Sequence, residues 1–308
     1  MYVQKSFAAS EQGKGGGTLY LVGTPIGNLE DMTFRAIRTL KEVDLIAAED
    51  TRQTRKLLTH YEIATRLVSY HEHNKEASGA ELLRLLEEGR SVALVSDAGL
   101  PAISDPGADL VRDAAERHIP VVPIPGANAA LSALIVSGLP TERFLFAGFP
   151  PREKKALAGW LSAIGEREET VILYESPHRL AKTLRAILEH LGDRRMAMIR
   201  ELTKRHEEAV RGTAAECMAL LEQHPPLGEY VLVIAGREKT GQGEAAGRPA
   251  ADGDAWWCGL ALEAHVTHYE SQGLGRKEAM KRTAADRGVA KREIYNALLR
   301  GEDEAGGS

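Results

Sequence analysis

The sequence predicts an α/β protein: two α/β domains followed by a small C-terminal helical module. Three observations carry that prediction. Short apolar runs alternate with amphipathic stretches from residue 18 to about 236, the pattern of βαβ units and a largely parallel sheet. The last three runs in that stretch lie close together, which calls for antiparallel pairs in the second half. Residues 237–254, rich in Gly, Ala and charge, lack periodicity and read as a linker before three short helical patterns.

Residues 18–22, 44–48, 67–70, 91–96 and 120–124 read as the strands of a first domain, 18–124, several apolar enough to be buried on both faces. Helical patterns separate them, notably 74–88 and 108–117. A helix over 128–136, after Pro125-Gly126, bridges to a second domain, 125–236. Its strands are 143–148, 170–174, 196–200, 209–213 and 230–235. Beyond the linker, 256–269, 276–286 and 291–299 read as the helices of a module spanning 255–300, punctuated by Gly273, Gly275 and Gly288. Residues 1–17 read as a flexible leader and 301–308 as a flexible tail.

A length of 308 residues fits two domains. The two cysteines, Cys217 and Cys258, give neither a disulfide framework nor a C-x-x-C metal pair, so a reducing cytoplasm is the simplest setting. No apolar run approaches the length of a membrane span, and 1–17 lacks the apolar core of a secretory signal. The net charge of −5 argues against a protein that coats nucleic acid. Its distribution is uneven: 275–300 holds eight Lys or Arg and three Asp or Glu, a local +5, which leaves −10 elsewhere. That asymmetry fits a local patch for a polyanion, and it fits a solvated basic helix face equally well.

Open α/β sheets bind ligands at the carboxyl ends of their strands. Three such loops stand out. Gly23-Thr24-Pro25-Ile26-Gly27-Asn28 gives a tight turn but is neither a dinucleotide fingerprint nor a Walker loop. The most informative is Ser96-Asp97-Ala98-Gly99-Leu100-Pro101-Ala102-Ile103-Ser104-Asp105-Pro106-Gly107. Two Asp, two Gly and two Pro fall within its twelve positions, so it can present carboxylates and backbone to a small polar ligand. Asp105-Pro106 also has the form of a helix start, with Asp105 as the cap. The third is Pro123-Ile124-Pro125-Gly126-Ala127-Asn128.

Read together, these loops carry a resemblance. Residues 23–31, Ala48-Glu49-Asp50-Thr51-Arg52, the 96–107 loop, Tyr174-Glu175-Ser176-Pro177-His178-Arg179, Arg200-Glu201-Leu202-Thr203-Lys204 and Gly228-Glu229-Tyr230-Val231-Leu232 occur in order from about 18 to 236. They are similar to the tetrapyrrole-methylase-like family of S-adenosylmethionine-dependent methyltransferases, specifically its branch that modifies small-subunit ribosomal RNA. Leu100 departs from the Thr usual there, and Ala127-Asn128 from a more common Pro-Ser pair. The resemblance implies two α/β domains with the methyl donor in the cleft between them and a homodimer. It also implies 2′-O-methylation of a cytidine ribose in small-subunit rRNA or the assembled 30S subunit.

On that reading the donor is held by Pro25, Ser96, Asp97, Ala98, Gly99, Leu100, Ile103, Ser104 and Tyr174. Methyl transfer from a sulfonium needs alignment and a proton acceptor rather than a metal. Glu49, Asp50, Glu201 and Lys204 are the candidates for accepting the proton or orienting the ribose. Capping of the next helix fits Asp50 as well as catalysis does, and an interdomain ion pair competes for Glu201 and Lys204. Arg52 and Arg55 suit phosphates or a solvated helix face. His71 and His73 point the same way from a strand, but no third or fourth ligand has zinc spacing, which leaves RNA contact or an exposed loop. Arg276 and Lys277 are expected to contact RNA. Two other functions fit parts of the sequence: methylation of a tetrapyrrole or corrinoid carbon, and non-enzymatic nucleic-acid binding through the C-terminal helices.

Overall fold

In the first sheet, parallel strands buried on both faces account for the continuous apolar runs. β1 (Leu19–Val22), α1 (Phe34–Glu42), β2 (Leu45–Ala48), α2 (Thr51–His60), β3 (Leu67–Ser69), α3 (Lys75–Glu87), β4 (Val92–Val95), α4 (Ala108–Glu116) and β5 (Val121–Ile124) alternate along the chain. The strand order is β3-β2-β4-β1-β5, all parallel. Leu40, Leu58 and Ala36 of α1 and α2 cover one face of this sheet, and Leu82, Leu86 and Leu110 of α3 and α4 cover the other. Every residue of β2 and β4 is therefore buried, which explains why Leu-Ile-Ala-Ala and Val-Ala-Leu-Val carry no polar alternation. The coordinates are a computed structural model, which describes residues 2–4, 17–237, 257, 260–287, 289, 291–295 and 297–298.

α5 (Ala129–Ser137) leads into the second sheet: β6 (Phe144–Gly148), α6 (Lys154–Gly165), β7 (Thr170–Glu175), α7 (Pro177–Leu191), β8 (Arg195–Arg200), β9 (Glu208–Thr213), α8 (Ala214–Gln223) and β10 (Tyr230–Ile234). Its order is β6-β7-β10-β8-β9. β6 and β7 are parallel, and β10 runs antiparallel to both β7 and β8, as β8 does to β9. α5 packs on one face through Ala130, Ala133 and Leu134. α6, α7 and α8 pack on the other through Leu161, Leu184 and Cys217. The five residues of β10 are all buried, at about 1.5–3 kcal/mol for each large apolar side chain.

The chain divides into two compact units, 1–238 and 239–308. In the second, α9 (Leu262–Ser271) and α10 (Arg276–Arg287) enclose Val266, Ala279, Ala284 and Ile294. The first helix starts six residues later than its periodicity suggests: Trp257 lies in a turn and stacks on the buried ring of His265 at 5.7 Å. His265 hydrogen-bonds Asp286 at 3.0 Å and accepts from Arg287 Nε at 3.1 Å, so a polar network sits inside this unit. Residues 291–295 and 297–298 are helical. The expected leader over 5–16, the linker from 238 on, Trp256, Cys258, Gly288 and the tail lie outside the described residues. Among the described residues, no helix is long and apolar enough to cross a membrane.

Candidate active site

The strand order of the first sheet decides which loops meet. β4, β1 and β5 are neighbours and parallel, so the loops that follow them emerge side by side at one edge. Thr24 and Gly99 join two of these loops through a pair of backbone hydrogen bonds, Thr24 N–H to Gly99 O at 2.8 Å and Gly99 N–H to Thr24 O at 3.1 Å. Gly23 and Gly126 join the first loop to the third by close backbone approach. A Cβ on Gly126 would lie 3.0 Å from the Gly23 main chain, tighter than an ordinary side-chain contact, so the two loops would have to move apart slightly. β2 flanks β4 on its other side, and the Asp50 N–H donates to Asp97 Oδ1 at 3.0 Å.

The 96–107 loop is held in a shape few sequences adopt. Gly99, Ala102 and Ser104 all have positive φ, at 81°, 67° and 62°. Left-handed conformation at Ala and Ser costs on the order of 1–2 kcal/mol each and persists where the surroundings impose it, commonly at functional sites. Ser96, 3% exposed, lies beneath the loop and donates to the Ala98 and Gly99 carbonyls at 3.4 Å.

The opposing wall comes from the second sheet. Antiparallel register places the ends of β7 and β8 beside the start of β10, with Tyr230 paired to both Glu175 and Arg200. The Tyr-Glu-Ser-Pro-His-Arg segment builds this wall from inside. Glu175 is fully buried and accepts from Ser176 N–H at 2.8 Å and Thr183 Oγ1 at 2.5 Å. Arg179 donates to the Pro150 and Pro151 carbonyls, both at 2.8 Å, and so fixes the loop that carries Phe149. Phe149 meets the Tyr174 ring edge-on at 5.5 Å.

Between the two walls is a cavity of about 490 Å³. Asp97, Ala98, Gly99, Leu100, Ile103, Ser104, Tyr174 and Lys204 line it, so eight of the residues singled out from sequence converge there. Ser96 and Pro25 lie in the same loops but outside the lining. Lys204 bridges Glu201 at 3.0 Å and Glu229 at 2.8 Å. Burial works against its charged form, but these two carboxylates outweigh it and raise its pKa. Glu201 does not line the cavity; the Glu229 N–H holds its carboxylate ionised and below its ordinary pKa.

Asp50 is the N-cap of α2, accepting from Arg52 N–H, and the Arg52 guanidinium beside it brings its pKa down to about 2. Of its two roles, capping is the one the geometry displays. Glu49 is shifted the other way, upward, by burial and then by the charge of Asp97. Arg52 is 87% exposed and Arg55 is exposed, both on α2. The His71 and His73 rings are 6.0 Å apart outside the cavity lining, and no group of three or more His, Cys, Asp or Glu is placed to hold a metal among the described residues. Arg276 and Lys277 open α10 in the second compact unit.

The structure adds residues absent from the donor and acceptor candidates read from sequence: Ile26, Asn128, Phe149, Ser176, Glu229 and Asp105 all line the cavity. Asp105 is the sharpest difference. Gly107, not Asp105, caps α4, and no side chain bonds that helix end. The Asp105 carboxyl faces the cavity instead, where burial and then the charges of Glu49 and Asp97 push it up to about 6.

Residues 18–217 match the family described as tetrapyrrole (corrin/porphyrin) methylases. The chain is 55% identical over 280 residues to a protein of Halalkalibacterium halodurans named ribosomal RNA small subunit methyltransferase I, covering 91% of this chain and 94% of the relative. It is 54% identical to a protein of the same name from Bacillus subtilis, again covering 91% and 94%. Among solved structures, diphthine synthase aligns with a TM-score of 0.56 at 14% identity, over 71% of this chain and 90% of its own. Uroporphyrin-III-C-methyltransferase from Thermus thermophilus aligns at 0.51 and 24%, over 71% and 94%. Both share the fold.

Proposed function

Because the chain belongs to the tetrapyrrole (corrin/porphyrin) methylase family, we propose that it moves a methyl group from S-adenosylmethionine to small-subunit ribosomal RNA, with the 2′-oxygen of a cytidine ribose as acceptor. The observation that carries this reading is the near-full-length likeness to the two bacterial rRNA methyltransferases. The cavity suits such a donor. It is large enough for a nucleoside with an amino-acid arm, and Ile26, Leu100 and Ile103 offer apolar contact for a base. Asp97 and Asp105 supply negative charge in the same space, which favours a cationic ligand. When bound, S-adenosylmethionine supplies a methyl group already activated on positively charged sulfur.

The protein's own task is then to align the acceptor and take up its proton. In this reading Pro25, Ser96 and the 97–104 residues hold the donor with Tyr174. Lys204, kept protonated by Glu201 and Glu229, donates hydrogen bonds that orient the ribose. The Asp50 N–H supports the donor loop through Asp97, and Glu49 or Asp50 assists at the ribose. Arg52, Arg55, His71 and His73 serve the RNA on the side of β2 and β3, and Arg276 and Lys277 serve it from the C-terminal unit. The protein works as a cytoplasmic homodimer on rRNA or the assembled 30S subunit, with 18–124 and 125–236 as its two cleft-forming domains. Mass mapping of small-subunit rRNA from cells with and without the gene tests the reading. A single cytidine that loses a ribose methyl group is the expected result, and an unchanged map refutes it.

A further inference from the structure

The cavity contains four carboxylates, and their partners separate them. Glu175 is consumed by Ser176 N–H and Thr183 Oγ1 and is fully buried. Glu229 is 82% exposed and paired with Lys204. Asp97 accepts the Asp50 N–H. Asp105 lines the cavity from the strained loop and forms no ion pair among the described residues. Lys204 is cationic and has no lone pair to offer. Outside the cavity, Asp50 and Glu201 are held as weak bases by Arg52 and by the Glu229 N–H, and Glu49, its pKa shifted upward, does not reach the cavity lining.

We propose that Asp105 is the proton acceptor of the methyl transfer, the residue that takes the 2′-hydroxyl proton. This rests on the function proposed above. The ribose oxygen gains the methyl group, the electron pair of the breaking carbon–sulfur bond stays on sulfur, and the hydroxyl proton passes to the Asp105 carboxylate. The groups that face Asp105 suit this role. Glu49 at the end of β2 and Asp97 after β4 surround it with negative charge, and Tyr174 of β7 contributes a neutral phenol. Burial, and then the charges of Glu49 and Asp97, push its pKa up to about 6, near the working range of a general base. Asp105 holds a proton less tightly while the cavity contains a cation and more tightly once that charge is gone. Proton capture is therefore favoured as transfer completes.

The test uses the full-length protein, purified 30S subunits and S-adenosylmethionine. In single-turnover assays the parent loses rate as pH falls below about 6, the bound cation moving the acidic limb down from its position in the free protein, and Asp105→Asn transfers methyl roughly 100-fold more slowly or worse at pH 8. Calorimetry shows donor affinity lowered about tenfold at most by the lost charge, far less than the loss of rate, and the Asp105→Asn profile has no acidic limb. Independently of activity, carbon NMR of the free parent shows an aspartate carboxyl titrating near 6, absent in Asp105→Asn. Parental rates in Asp105→Asn, an unchanged acidic limb, or a loss of donor affinity as large as the loss of rate would each overturn the proposal. So would a free parent with no aspartate titrating above pH 5, whether or not the variant folds. A parent that methylates no small-subunit rRNA overturns the functional reading and this inference with it. That outcome differs from a working parent whose Asp105→Asn variant is indifferent.

Discussion

Replacing Gly126 with alanine tests whether the donor site depends on loops that touch through bare backbone. The added Cβ would sit 3.0 Å from the Cα, carbonyl carbon and oxygen of Gly23, against about 3.5–4.0 Å for an unstrained carbon contact. Main chain cannot swing aside as a side chain can, so the loops must part by a few tenths of an ångström. Gly23 precedes Thr24, whose two backbone bonds to Gly99 are 2.8 and 3.1 Å long. A displacement of that size stretches the shorter bond to the edge of the range in which such bonds are strong and the longer one past it, at about 1–3 kcal/mol for the pair. Donor binding is then weakened roughly 5- to 150-fold, read by titrating S-adenosylmethionine into the folded variant in a calorimeter. Gly159→Ala is the control: it lies in α6 with open space around its Cβ position and should leave binding alone while stabilising the fold by about 0.5–1 kcal/mol. A Gly126→Ala protein that binds the donor within twofold of the parent refutes the argument.

Asp105→Asn should stabilise the fold, in a pH-dependent way. The folded pKa of about 6 lies above the ordinary 3.8, so ionisation opposes folding, with no penalty below pH 3.8 and the full penalty above 6. After solvent screening this is worth about 1–2 kcal/mol, so urea denaturation should favour the variant at pH 8 and not at pH 4; an equal gain at both is incompatible with the assignment. Lys204→Met removes the ammonium that Glu201 and Glu229 hold in the cavity and should slow methyl transfer about 100-fold or more with little change in donor affinity. Unchanged turnover would remove Lys204 from the ribose side. Replacing Arg276 and Lys277 together by alanine should weaken rRNA binding and reduce its salt dependence by about two counterions. An unaltered salt slope argues that these side chains never meet phosphate.

Much of the fold is visible in the sequence because its physics is local. Buried parallel strands read as unbroken apolar runs, and the crowding of 196–200, 209–213 and 230–235 announces antiparallel pairing that β8, β9 and β10 display. The 96–107 loop is conspicuous for a related reason: a backbone that must turn left-handed and stay rigid concentrates Gly and Pro. What local pattern lacks is lateral order. Nothing near Asp105 distinguishes a helix cap from a cavity carboxylate, because Asp-Pro-Gly serves both; the choice depends on β4 lying beside β1 and on the second sheet closing over it. Glu175 and Arg179 are equally opaque, since their partners, Thr183 and the Pro150 and Pro151 carbonyls, are set by packing. Asp50 satisfies its capping pattern, and there the bland assignment holds.

The position of β10 has a consequence for how this protein is made. It is the last strand in the chain to join the second sheet, yet it lies at the centre, bonded to β7 on one side and β8 on the other. Until residues 230–234 leave the ribosome, β6–β7 and β8–β9 are separate pairs, each presenting an unpaired apolar edge. Insertion of a single strand joins the halves, buries both edges and brings Glu229, Tyr230 and Val231 to the cavity. The nascent chain thus has no complete cavity until its second sheet is whole. Any ligand that binds this cavity then reports on a finished fold and holds it together by mass action.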